Sequence, residues 1–168
     1  MIGFDYGTSN CAVGVMNNDQ PKILSLGEHG RFTPSTLYSP SREIISHWLY
    51  QRLPESAQAD FKAKRALPLQ RSQNIIRELQ LDSISPELSF GQTALNNYLD
   101  DPEEGYYIKS PKSFLGASGL VDAQINLFED IVAAMMLNIK TLAEDAEQKD
   151  ITKTVIGRPI NFQGLKGE

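Results

Sequence analysis

Apolar residues near the start of the chain come in short runs with polar breaks between them. Ile2 to Tyr6 reads as one strand and Cys11 to Met16 as the next, with Gly-Thr-Ser-Asn turning the chain between them. "KILSL" and "STLYS" continue the pattern, set apart by the turn compositions "NNDQP" and "GEHGRFTP". Residues 1–39 are therefore expected to form a meander. From about residue 40 to 121 the texture changes to short helical patterns and loops. "EIISHWLYQRL" puts Ile44, Ile45, Trp48, Leu49 and Leu53 at helical spacing, and "QTALNNYLD" is a shorter case. Between these lies "DFKAKRALPLQRSQNIIRELQ", which carries Arg65, Arg71 and Arg77 with few large apolar residues and reads as a peripheral subdomain. The third zone has the plainest period. Starting from Asp122 as the expected N-cap, Ile125, Phe128, Ile131, Val132, Met135, Met136, Ile139, Leu142 and Ala143 recur every three or four residues until "EDAEQKD". This predicts one long amphipathic helix, its methionines serving as core filler. "TKTVIGRPINF" follows, with Val155 and Ile156 in an expected buried strand that stops at Pro159. A meander followed by helix and strand predicts an α/β fold, a mixed sheet with a helical cover.

Composition narrows the class. The chain has 168 residues, 40% of them hydrophobic, enough for one domain with a core. Its 16 basic residues against 21 acidic give a net charge of -5, so neither a nucleic-acid footprint nor a polybasic membrane patch is expected. Asp5 interrupts the N-terminal apolar stretch, so no signal peptide is expected in it. The single cysteine, Cys11, excludes an internal disulfide and fits a reducing, cytoplasmic setting; in a strand, its expected place is the core.

Two segments are candidates for chemistry. In the opening turn a glycine at position 7 lets the backbone approach a ligand, Thr8 and Ser9 add hydroxyls, and Asp5 stands at the end of the strand before it. A carboxylate beside phosphates repels them unless a divalent cation lies between, so an acid at a phosphate loop implies Mg²⁺ held partly through water. An ordinary hairpin turn has the same composition. In "IKSPKSFLG", Pro111 precedes Lys112, and an extended segment would deliver that lysine beside the apolar Phe114 and Leu115. An ammonium near a γ-phosphate stabilises developing charge. A solvated loop lysine is the bland alternative, and Lys109 competes for the role. His29 and His47 have no partner at metal-ligand spacing and are expected to be surface or capping residues.

Together these segments resemble a known family. "IGFDYGTSNCAVGVM" is similar to the first phosphate loop of the actin-like ATPase superfamily, in the Asp-x-Gly-Thr-Ser-Asn form of DnaK-type seventy-kilodalton heat-shock chaperones. Arg31-Phe32-Thr33-Pro34-Ser35 resembles that family's Arg-Thr-Thr-Pro-Ser segment. Gly91-Gln92-x-Ala94, Pro102 and Lys112-x-x-x-Gly116 follow its Gly-Gln-x-Ala, Pro and Lys-x-x-x-Gly series with two extra residues before the lysine, and "TVIGRPINF" stands where the family has "VITVPAYF". The resemblance implies the first lobe of an actin-like ATPase. Its ribonuclease-H-like core would be formed by residues 1–39 and 122–168, and 40–121 would be a rebuilt peripheral subdomain bearing the lysine. It further implies that Gly7, Thr8, Ser9 and Asn10 touch the phosphates of ATP or ADP, that Asp5 holds Mg through water, that Lys112 is the catalytic lysine and that Pro159 couples nucleotide state to a peptide-binding domain. Unfolded peptide and co-chaperones are the partners it implies beyond the nucleotide.

Departures from the family are equally specific. After Pro159 the chain reads "NFQGLKGE" in place of the family's acidic and arginine-bearing continuation, and residues 40–89 are longer than usual before the lysine. The second phosphate loop, the later hydrolytic acids and the adenosine motif are absent, so an excised lobe, inactive alone, is expected. Two alternatives share part of the pattern. A sugar-kinase-like transferase would use the same loop with Asp60 or Asp82 facing its substrate. A vestigial interaction module would use the arginines of the second zone and an exposed Trp48.

Overall fold

The computed structural model describes residues 1–27, 30–114 and 117–157; His29, Gly116 and Pro159 lie outside them. The opening alternation becomes an antiparallel pair, β1 (Ile2–Tyr6) and β2 (Asn10–Asn17), in the register Phe4 to Val13 and Tyr6 to Cys11. That register places Ile2, Phe4, Tyr6, Cys11 and Val13 in the core, while Asp5 is exposed, because neighbouring side chains leave a strand on opposite faces. β3 (Gln20–Ile23) and β4 (Thr33–Pro34) both pair antiparallel with β2. β8 (Thr154–Ile156) runs parallel to β1 on the other side, which makes the sheet mixed.

The expected meander ends sooner than its sequence suggests. β5 (Thr36–Ser39) leaves the first sheet and becomes the centre of a second, between β6 (Ser89–Phe90) and β7 (Tyr106–Lys109). The strand before it is only two residues long, and Ser35 then redirects the chain. The expected buried strand at Val155 and Ile156 is present but exposed, at 61% and 45%, since β8 is an edge strand paired only with β1 among the described residues.

Helices cover the sheets. α1 (Arg42–Arg52) buries Ile44, Ile45, Trp48 and Leu49. The "DFKAKRALPLQ" region folds as α2 (Glu55–Lys64) and α3 (Ala66–Leu81), and α4 (Gly91–Asp100) follows β6. The long periodic stretch is α5 (Asp122–Glu147); its N-cap is Val121, one residue earlier than expected. Gln124 Oε1 accepts from the Val121 N–H at 3.1 Å and so satisfies that end without an acidic cap. α5 lies against β1, where the Tyr6 hydroxyl donates to the Met135 sulfur at 3.6 Å. Ile131, Met135, Ile139 and Ala143 complete this core.

One polar knot ties α1 and α3 to α5. Asp130, 2% exposed, accepts from Ser46 Oγ at 2.6 Å and from Arg65 Nε at 3.0 and 3.2 Å. Arg65 Nη2 donates to the Asn126 carbonyl at 3.2 Å and to Glu129 at 2.8 Å. Burial pushes the Asp130 carboxyl above its ordinary range, and the Ser46 and Arg65 contacts pull it back. Trp48, expected to be exposed, is 7% exposed. Its Nε1 donates to Glu87 at 2.9 Å, and the Arg52 guanidinium sits 4.0 Å over its ring. No helix among the described residues is long and apolar enough to cross a membrane.

Candidate functional site

The bend between β1 and β2 is built by its own backbone. A Cβ at Gly7 would lie 2.1 Å from the Asn10 carbonyl oxygen, so the glycine is required for the bend to close on itself. Thr8, Ser9 and Asn10 are exposed at the tip. Behind the bend Ser35 acts as a clasp: its Oγ donates to the Gly7 carbonyl at 2.8 Å and its N–H to the Ser9 carbonyl at 2.9 Å. Its own carbonyl accepts from the Ser110 N–H at 2.9 Å, which connects the bend to the segment carrying Lys112. Ser35 stands in the matched "RFTPS" run, yet only the fold shows that it holds the loop.

Lys112 reaches this bend from 106 positions away: its Nζ donates to the Tyr6 carbonyl at 2.5 Å. The delivery differs from the expected extended segment. Ser110 takes a left-handed φ of 56°, after which Pro111–Phe114 form one turn of 3-10 helix. Proline suits the first position of such a turn, where no N–H is needed. The apolar anchor is Phe114, which stacks on Phe128 of α5 with centroids 4.8 Å apart. Lys109 stands in β7 paired with Thr36, and among the described residues no side-chain hydrogen bond joins it to the bend.

Cys11 lies at the centre of the arrangement, 1% exposed, with Sγ 3.4 Å from Ser35 Oγ. Burial pushes its thiol up. Hydrogen bonds with Ser35 and the Gly7 amide oppose that rise, Asp5 adds to it and Lys112 works against it. The thiol thus feels both candidate charges. Asp5 borders an open cavity of about 460 Å³ lined also by Gly3, Ala12 and Gly14 and by the larger Ile23, Phe32 and Val155.

Among the described residues no three His, Cys, Asp or Glu side chains gather as a metal site. Asp5 is therefore a single carboxylate on an open face. That donor set fits Mg²⁺, which keeps most of its waters and takes one or two carboxylates together with phosphate oxygens. It does not fit a fully protein-ligated ion. Of the acids in the sugar-kinase alternative, Asp60 forms a surface pair with Lys64 at 2.9 Å and Asp82 caps the end of α3; neither borders the Asp5 cavity.

A mixed sheet with helical cover is compatible with a lobe of an actin-like ATPase. The family model described as "Hsp70 protein" matches residues 1–78, a likeness that covers the N-terminal part of the chain. The match includes the bend, Asp5 and the Ser35 clasp, and ends before the segment that carries Lys112.

Proposed function

We propose that this chain is the first nucleotide-binding lobe of an Hsp70-like ATPase. In this reading residues 1–39 and 122–168 form the ribonuclease-H-like core, and 40–121 form a peripheral subdomain that supplies the lysine. The runs "DDPEEGYYIKSPKSFLGASG" and "VIGRPINFQG" further resemble the N-terminal part of YegD, a divergent heat-shock-70-like protein. The observation that carries the proposal is the Lys112 ammonium at the Tyr6 carbonyl, one residue from the bend.

The roles follow from position. Amides and hydroxyls of Gly7, Thr8, Ser9 and Asn10 bind phosphate oxygens. Asp5 orients the water shell of magnesium; when bound, the ion neutralises charge on the phosphates. Lys112 exchanges its carbonyl partner for a terminal phosphate oxygen and stabilises the charge that develops there. The single buried cysteine supports a reducing, cytoplasmic setting.

ATP turnover of a two-lobed protein that contains this lobe, wild type against Lys112→Ala, and Mg-ATP protection against thermal unfolding test the proposal. Loss of an electrostatic donor at the reacting phosphate predicts a fall in kcat of about 10²- to 10³-fold with a smaller change in KM. Unchanged turnover removes Lys112 from the mechanism. If Mg-ATP gives no protection to the wild type, the nucleotide reading fails and an interaction module with a vestigial loop takes its place.

A further inference from the structure

The first turns of α1, α3 and α5 border a cavity of about 370 Å³ that shares no lining residue with the β1–β2 bend or with the Asp5 face. Four cationic side chains line it, Arg42, Lys64, Arg65 and Arg71, against two carboxylates, Glu43 and Asp130. Such a concentration is unexpected on a chain of net charge -5. Both oxygens of Asp130 are already engaged by Ser46 and Arg65.

Most of the cationic capacity is unused. Arg65 is nine-tenths buried; its Nε and Nη2 are taken, while Nη1 has no hydrogen-bond partner among the described residues. Arg71 has neither an ion pair nor a hydrogen bond among them. Arg42 stacks 4.9 Å over the Tyr106 ring, a contact that leaves its N–H groups free. Lys64 has only its exposed pair with Asp60, which is worth little. Helix starts add to this, since α3 has no acidic residue in its first turn and no side-chain cap, and its first residues, Ala66 and Leu67, line the cavity. Beside the polar end, Leu67, 55% exposed, and Leu127 form an apolar wall.

We propose that this cavity binds a small phosphorylated molecule, its phosphate held by Arg42, Arg71 and the open Nη1 of Arg65 and its apolar body against Leu67 and Leu127. Several guanidinium forks lining one cavity match the tetrahedral, multiply charged phosphate better than a single carboxylate. The volume is that of a small-molecule site. The proposal does not depend on nucleotide binding at the bend.

The test is backbone-amide NMR of the protein titrated with inorganic phosphate and with phenyl phosphate, against sodium chloride at equal ionic strength. Saturable shifts are expected at Arg42, Ala66 and Leu67, with phenyl phosphate binding about tenfold tighter. Arg71→Gln should weaken binding about tenfold and Arg71→Glu more, with unfolding temperature unchanged because Arg71 is exposed; Lys112→Ala should leave it intact. Shifts that chloride reproduces, no saturation, or full affinity in both Arg71 variants would overturn the proposal. A phosphoserine peptide binding the same amides at least tenfold tighter than phenyl phosphate would also overturn it, in favour of a phosphoprotein partner.

Discussion

Asp130→Leu isolates the knot that holds α1 and α3 to α5. The carboxylate it removes is 2% exposed and balances Arg65, itself 5% exposed, while satisfying the Ser46 hydroxyl. Removing one member of a buried pair leaves the other charged and desolvated, at about 3 to 5 kcal/mol. Arg65 Nη2 keeps Glu129, whose side chain is 64% exposed, and the Asn126 carbonyl, so the lower end applies, about 3 kcal/mol. For a chain of this length that corresponds to a fall in Tm of about 6 to 12 °C. Arg65→Met combined with Asp130→Leu removes both charges together and should return to within about 1 kcal/mol of wild type, because well-packed apolar residues replace such pairs with little loss. Urea unfolding followed by far-UV circular dichroism measures all four corners of the cycle. Asp130→Asn, which keeps the Ser46 contact, gives a milder point should the leucine variant not fold. A single substitution costing under about 1 kcal/mol, or a double variant as unstable as the sum of the singles, would refute the reasoning.

Two further outcomes follow from the same geometry. Gly7→Ala puts a carbon 2.1 Å from the Asn10 carbonyl oxygen, so the bend must open, at about 1 to 3 kcal/mol; Mg-ATP protection should disappear while the circular dichroism spectrum stays native. A Gly7→Ala protein with wild-type Tm would show that the bend is not closed in solution. His47 has its pKa lowered from 6.5, first by burial and then by Arg52, with Glu87 opposing. The folded state thus takes up its proton later than the unfolded one, and the contribution is complete above pH 6.5 and lost as pH falls through the lowered value. Urea midpoints between pH 7.5 and 5 should fall less steeply in His47→Gln; parallel curves would assign the loss to other groups.

The parts of this fold that were legible in the sequence are those set by local period. Ile2, Phe4 and Tyr6 at every second position, and Ile131, Met135, Ile139 and Ala143 at helical spacing, specify β1 and α5 because each element must present one continuous apolar face. The bend was legible as a composition, since a glycine followed by small polar residues has few other uses between two strands. Long-range partnership was not legible. Arg65, Arg71 and Arg77 look alike along the chain, and only packing buries the first against Asp130 of a helix 65 positions away. Trp48 is hidden because Glu87 and Phe90 come to meet it, and Val155 is open because the sheet ends beside it. Lys109 competes with Lys112 along the chain, and the turn at Ser110 sends Lys112 to Tyr6 and leaves Lys109 in a strand. Periodicity records which way a side chain faces on its own element; which charge or ring it meets depends on how distant elements close over it.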